Sequence, residues 1–526
     1  MYECPNCGGN LKFDIPSQQL ACGFCDSKFD PYAIKKETDT VDGDYFETNV
    51  FTCPQCGGEM FGGDNDATAF CSYCGASNIL SSRISRKKRP QFIIPFKVTK
   101  EDCKKLYRDK MRKAFFVPKE FKNADFIDGF RGIYMPYWSY RFSQKGRISL
   151  QGVTEKREGD YVYKDYYTLS GYLDAGYAGY SNDASANFYD NISQALGPYT
   201  ANQIMNFTPS FLSGFYAEIA DVSSAVYQED AEEIVTEATC DRLRRDPVFR
   251  KYDLELPSES KRAAALHTNC DGKDSAMFPV WFMSYRNRDR IAYATVNGQT
   301  GKIVADLPVD EKRFFGSSLL LAIPLFLILN LFLMLRPMVL LLCSAVLALA
   351  ATALYSGELS KILAKESNED DRGLQTKKAG KLITKKKKKR KMAANTVITV
   401  VIVFLAMNRL ELIFSLLRIA GGSLAQILIW LAVAVCMGIL CVSGIKKYKN
   451  VEKLRGGLGF LFAAAAIVAG GIIAIWQPVS DLWYYGAALL ILLTVVFILA
   501  DLIRNYNRLA MRKLPQFEKR GGDDNA

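Results

Sequence analysis

At 526 residues, 49% of them hydrophobic, and with a net charge of +12, the chain is too long for a single small domain and too apolar for a disordered one. The charge is uneven: residues 1–80 sum to −8, residues 81–313 to +5 and residues 314–526 to +15. Nearly all the long apolar runs fall after residue 314, which excludes a uniformly soluble globule and places the basic surplus in a membrane half.

The N-terminus opens Met1-Tyr2-Glu3-Cys4, without a charged n-region or an apolar h-region, so no signal peptide is expected and its cysteines stay in a reducing compartment. Eight of the fourteen cysteines form CxxC pairs. Cys4-x2-Cys7 is followed by Cys22-x2-Cys25, and Cys53-x2-Cys56 by Cys71-x2-Cys74; all four offsets between the sets equal 49 residues. The match extends to Cys4-Pro5-Asn6-Cys7-Gly8-Gly9 against Cys53-Pro54-Gln55-Cys56-Gly57-Gly58. A CxxC turn aims two thiolates at one ion, a following glycine in the left-handed region frees amides to face sulfur, and two such knuckles complete a tetrahedron. Two structural zinc ions are therefore expected, in ribbons spanning residues 1–30 and 51–80 with an acidic linker at 31–50. The scattered Cys103, Cys240, Cys270, Cys343, Cys436 and Cys441 read as packing residues.

Residues 81–91, rich in Lys and Arg, read as a basic linker. Residues 92–312 read as an α+β domain with antiparallel sheet. Its expected elements are a strand over Phe92–Val98, an amphipathic helix over Lys100–Phe115 with Cys103, Tyr107, Met111 and Ala114 on one face, and aromatic strands over Gly132–Phe142 and Phe278–Tyr285. The two aromatic strands share a Pro-x-Trp signature, Pro136-x-Trp138 and Pro279-x-Trp281. Tyrosine-rich strands are expected over Tyr161–Tyr180, a helix over Val222–Arg245, and a hairpin through Asn297-Gly298. No GxSxG, P-loop or HExxH is present, and the one histidine, His267, reads as a surface residue; no catalytic residue is expected.

Six apolar runs each reach the ~18–20 residues needed to span a bilayer. Two lie in residues 314–356 and four in 393–503, with a polybasic loop at 357–392 between them and a tail at 504–526. Asn408, Arg409 and Glu411 interrupt the third run. With the N-terminus cytoplasmic, alternate loops hold 24 Lys and Arg on that side against 3 on the other, so both termini are expected in the cytoplasm. The cluster Lys385, Lys386, Lys387, Lys388, Lys389, Arg390 and Lys391 directly precedes the third run, where it can fix topology and meet anionic lipid headgroups.

The paired knuckles, Ile94-Pro95-Phe96-Lys97-Val98, Phe116-Val117-Pro118-Lys119-Glu120-Phe121, Gly132-Ile133-Tyr134-Met135-Pro136-Tyr137-Trp138, Phe278-Pro279-Val280-Trp281 and Asn297-Gly298-Gln299-Thr300-Gly301-Lys302 give the chain a family resemblance. Over roughly residues 1–335 it resembles the bacterial transcription factor IIB-type zinc ribbon-containing membrane proteins. Some of these have been labelled replication-restart helicases through the zinc cysteines alone; no helicase motif is present here. The resemblance implies a multi-pass membrane protein linked in some bacteria to envelope stress through recruitment of phage-shock-type coat proteins. The leading expectation is a membrane-anchored scaffold that docks cytosolic protein partners. The alternatives are a membrane-tethered nucleic-acid-binding protein, disfavoured by the −8 of residues 1–80, and a transporter or membrane enzyme.

Overall fold

A computed structural model describes residues 2–34, 45–62, 71, 73–74, 81–185, 188–218, 220–287, 290–332, 336–366, 422–449 and 458–513. The Lys385–Lys391 cluster and the third apolar run lie outside the described residues.

The first ribbon is a small antiparallel sheet of β1 (Leu11–Asp14), β2 (Gln19–Cys22) and β3 (Lys28–Phe29), with β2 central. Thirty-odd residues cannot bury a core of their own. The inward-facing Leu11, Phe13 and Leu20 instead join the hydrophobic core of the following domain. Phe13 meets the rings of Phe211 and Phe215 at 5.2 and 6.5 Å.

The second ribbon is built from β4 (Tyr45–Thr52), β5 (Glu59–Gly62) and β6 (Ser81–Lys88). The expected basic linker is thus largely a strand. β6 pairs antiparallel with β4 over its whole length, from Tyr45 opposite Lys88 to Thr52 opposite Ser81. β6 ends the sheet path, and Lys and Arg on an edge strand deter edge-to-edge pairing with other chains. Its charge misled the sequence reading because solvated linkers and protected edges share that composition. The acidic linker is correspondingly shorter, since β4 begins at Tyr45.

The α+β domain is organised on two long strands, β8 (Arg131–Glu158) and β13 (Thr268–Asn287), which follow the short β7 (Phe92–Ile93) and pair antiparallel from Arg131 opposite Phe282 to Gln144 opposite Thr268. The two Pro-x-Trp segments sit at staggered positions in this pair, Pro136–Trp138 opposite Met277–Ser275 and Pro279–Trp281 opposite Tyr134–Gly132, and their indoles act alike. Trp138 Nε1 donates to the Val222 carbonyl at 2.7 Å, and Trp281 Nε1 to the Val98 carbonyl at 2.8 Å. Each tryptophan so fixes the approach to a helix, α4 (Gln228–Arg245) and α1 (Lys100–Lys113) respectively. Thr99 caps α1 by accepting from the Asp102 amide, and Cys103, Tyr107 and Met111 form its buried face.

β9 (Tyr161–Asp183) folds back along β8 as a long hairpin arm. The short strands β10 (Met205–Asn206), β11 (Tyr216–Ala217) and β12 (Asp253–Glu255) stitch onto this framework. β11 lies between β8 and β5, so the second ribbon extends the main sheet by backbone pairing. β14 (Arg290–Asn297) and β15 (Ile303–Ala305) form the hairpin expected at Asn297-Gly298. His267 is exposed, and its Nε2 lies 3.0 Å from the Arg147 carbonyl oxygen.

Among the described residues five long helices follow: one over Glu311–Phe332, then Pro337–Glu366, Gly422–Lys449, Leu458–Trp476 and Asp481–Ala510. The last four are long and apolar enough to cross a membrane and share one buried cluster centred on Leu341, Tyr355, Trp430, Phe460 and Ile491. Gly470 permits close approach there: a Cβ would lie 3.1 Å from Ile491 and 3.4 Å from the Trp430 ring. The Glu311–Phe332 helix contributes no described residue to that cluster, and Leu319, Leu320 and Leu321 on it are exposed. The described residues therefore hold four of the six expected spans within this bundle.

Candidate metal centres

Local backbone forces each knuckle. In the first ribbon the Cys4 amide donates to Gly9 O at 2.7 Å and the Gly8 amide to Cys4 O at 2.8 Å, closing a turn in which Gly8 takes a φ of 72°. The second ribbon repeats this 49 residues on: the Cys53 amide donates to Gly58 O, the Gly57 amide to Cys53 O, and Gly57 has a φ of 78°. These are the positive-φ positions that a side chain would strain. In the Cys22–Cys25 knuckle the same place falls to Asp26, at a φ of 55°, a region tolerated by Asp better than by most residues.

The eight predicted ligands are brought together as two sets of four and are not mixed between sets. Within each set the sulfurs all lie within 4.8 Å of one another. Cys4 and Cys25 are 3.6 Å apart and Cys7 and Cys22 3.4 Å; Cys53 to Cys74 and Cys56 to Cys71 are each 3.7 Å. None of these is a disulfide, whose sulfurs sit ~2.05 Å apart. A tetrahedral ion with metal–sulfur bonds of ~2.3 Å places its ligands ~3.8 Å from each other, so both sets fit a single four-coordinate metal. Four protein thiolates leave no open position for a substrate.

The surroundings of the two centres differ. Cys4 and Cys22 are buried while Cys7 and Cys25 are exposed; all four ligands of the second centre are buried. Ser27, through its hydroxyl and then its amide, holds the Cys25 thiol down to about 6, with Cys7 adding to the effect. Against the Gly9 amide, which opposes it, the Cys25 and Cys22 thiols push Cys7 up to about 12. In the second set Cys53 is driven well down by Cys56, then Cys71 and Cys74, and Cys71 well up by Cys53 and then Cys56. Thiols this close cannot all ionise unless a cation neutralises them, which is the role of a bound metal.

Two further features escaped sequence reasoning. Phe24, between the ligands Cys22 and Cys25, is 81% exposed. Its ring fills the space above Gly9, where a Cβ would come within 2.5 Å of it. The second is the junction with the membrane bundle. The Asn507 side chain forms two hydrogen bonds of 2.7 Å with the Val309 backbone, donating to its carbonyl and accepting from its amide. Beyond it β16 (Arg512–Lys513) pairs with β14, and Arg504 reaches Glu311 at 3.5 Å. The end of the last helix is thereby tied to the domain from which the first helix departs. Asp501 accepts the Tyr355 hydroxyl, with Asn505 donating to that hydroxyl at 3.2 Å; Lys447 donates to Ser356 Oγ at 2.8 Å.

Fold and sites together define a protein with an α+β body, four helices able to cross a membrane, and two ribbon-like four-cysteine groups that could each hold a metal ion. The chain is similar to the uncharacterized protein YdjG of Bacillus subtilis strain 168, with 25% identity over 316 residues covering 59% of this chain and 91% of that protein. No protein-family model matches. No solved structure matches.

Proposed function

We propose that this protein is a membrane-anchored, non-enzymatic scaffold whose two zinc ribbons and α+β body hold a cytosolic protein partner at the bilayer surface. Phe24 carries the proposal. An aromatic ring held out on a metal-fixed knuckle is a preformed anchor of the kind that dominates protein interfaces. Glu3, Asp26 and Asp30 in the same ribbon suit a basic face on the partner. Zinc is the assigned metal because four thiolates in a reducing compartment favour it and its tetrahedral geometry.

The tie between Val309 and Asn507 supports a topology with the start of the first helix and the end of the last on one side, in agreement with the Lys and Arg bias of the loops. Lys385–Lys391 then faces the cytoplasmic leaflet. Changing five of its seven basic residues to Gln removes up to ~5 kcal/mol of attraction to anionic lipid.

A nucleic-acid-binding reading draws on the basic strand β6. With Arg83, Arg86, Lys87, Lys88 and Arg89 included, the −8 of residues 1–80 becomes −3 for residues 1–89, before each tetrathiolate centre adds a formal −2. Phosphate recognition needs the opposite sign.

The test places a photo-crosslinking amino acid at position 24 and, as a control of equal exposure, at Phe115 in the full chain in living cells. A cytosolic protein joined at position 24, absent at 115 and lost on Cys22→Ser is the expected result. Equal products at both positions, or none at 24, contradict the docking role.

A further inference from the structure

The outer edge of β9 is anomalous for a natural sheet. Long exposed edges are normally blunted by proline, bulges or clustered charge, as β6 is by its Lys and Arg. From Tyr161 to Asp183 β9 contains no proline, and its only register shift sits near the base of the arm, where Tyr140/Arg141 meet Tyr180 and Ala178. Among the described residues β9 pairs with no strand but β8. Its distal half is also unusually aromatic for a solvated surface, with Tyr161 and Tyr172 73% and 75% exposed.

We propose that this edge is the contact surface for a second copy of the same chain, the two β9 strands pairing antiparallel about a two-fold axis at Leu169. The sequence of the edge is complementary to its own reverse in that register. Lys164 faces Asp174 of the second copy, Tyr166 faces Tyr172, Thr168 faces Ser170 and Leu169 faces itself; by symmetry each pair occurs twice. Tyr167 falls opposite Gly171, where an aromatic ring shields a bare backbone. Tyr161 falls opposite Tyr177, which in its own chain is held by Thr239 and lies beneath Arg242. Asp165, opposite Leu173, is the one unmatched charge.

The register is set by charge as well as by shape. Within each chain Lys164 already pairs with Glu155 on β8, and Asp174 with Lys145. Joining the edges at Leu169 produces a row across four strands, Glu155, Lys164, then Asp174 and Lys145 of the second copy, in which the sign alternates at every step. A slip of two residues in either direction sets Lys164 against Gly176 or Tyr172 and abolishes the row. A slip of one turns the open face of one arm against the packed face of the other. Cross-strand pairs of opposite charge and of aromatic rings are those that stabilise sheets.

The inference is independent of the docking role of the ribbons. Its test uses two differently tagged full-length chains coexpressed, extracted and reconstituted into nanodiscs, reading how much of one copurifies with the other. Lys164→Asp alone, or Asp174→Lys alone, turns both symmetric contacts into like-charge contacts and lowers copurification at least about tenfold. A Lys164→Asp chain mixed with an Asp174→Lys chain regains opposite charges at both contacts, so recovery returns to near the wild-type level. That rescue also shows that each variant folds. Wild-type chains that fail to copurify, single variants that associate as well as wild type, or a mixed pair that fails to recover would each overturn the proposal.

Discussion

The two ribbons carry the same knuckle 49 residues apart, yet the molecule uses them differently. The first has no core of its own: Tyr2, Leu11, Phe13 and Leu20 are buried in the core of the α+β domain, and half of its metal ligands face solvent. The second adds a cluster of its own: among the described residues, four of its seven buried side chains are the candidate metal ligands, the others being Phe51, Met60 and Tyr73, while Phe46 alone joins the domain core. It reaches the body through backbone pairing of β5 with β11, a hydrogen bond of 2.8 Å from Tyr293 Oη to the Tyr73 carbonyl, and two ring contacts, Phe46 with Phe207 at 5.7 Å and Tyr73 with Phe282 at 6.3 Å. An identical ligand set can therefore be an accessory staple where several apolar side chains anchor the ribbon in the body, and the centre of a small cluster where few do.

This contrast ranks the consequences of substitution. Cys53→Ser should be the most damaging, because it removes the ion around which the second ribbon's core is built. A loss above ~4 kcal/mol, the size associated with losing a metal or a buried network, is expected in denaturant unfolding of the full chain, with zinc falling from two to one per chain. Phe13→Ala comes next, at ~3–4 kcal/mol, because it empties a buried site between Phe211 and Phe215 while leaving every ligand in place. Both zinc ions should remain, so a drop in metal content with this variant would show that packing and metal are not separable in the first ribbon. Cys22→Ser should cost less, ~2 kcal/mol, because Leu11, Phe13 and Leu20 still hold the ribbon to the body. A Cys22→Ser chain as unstable as Cys53→Ser would erase the distinction between the ribbons. The smallest effect belongs to Phe24→Ala, within ~0.5 kcal/mol in unfolding, as befits an exposed side chain. If that variant loses several kcal/mol, Phe24 is structural and the docking surface must be sought elsewhere.

Acid should separate the centres in the same order. Metal binding requires thiolates, so protons compete and affinity falls as pH falls. The exposed Cys7 and Cys25 should release their ion first, followed at lower pH by the buried second centre. Simultaneous loss on an acid titration followed by a zinc-sensitive dye would argue for equal shielding.

The metal centres were legible in the sequence because their chemistry is local: a knuckle is six consecutive residues, and the 49-residue repeat announces it twice. The helix α1 and the hairpin at Asn297-Gly298 were legible for the same reason, through a cap, a periodic apolar face and a turn dipeptide. What could not be read is what joins distant segments. Nothing near Phe13 in the chain points to Phe211, and nothing near Val309 points to Asn507, since side-chain contacts across some two hundred residues leave no periodic trace. β6 failed for a different reason: strand pairing is a property of two segments, and its charge alone suggested solvent. The Pro-x-Trp echo was visible as a pattern, but its purpose depends on Val98 and Val222, which only the fold brings to the two indoles.

The central claim is that the chain holds two metal ions, unequal in exposure and in structural weight. Its most direct test is a chelator titration of the reduced full-length protein, with bound zinc and thermal unfolding followed together. The account predicts close to two zinc ions per chain, released in two steps: the first from Cys4, Cys7, Cys22 and Cys25 with a modest fall in melting temperature, the second from Cys53, Cys56, Cys71 and Cys74 with a larger fall as the second ribbon's cluster comes apart. Less than one zinc per chain at the outset, or a single release step with no effect on unfolding, would contradict it.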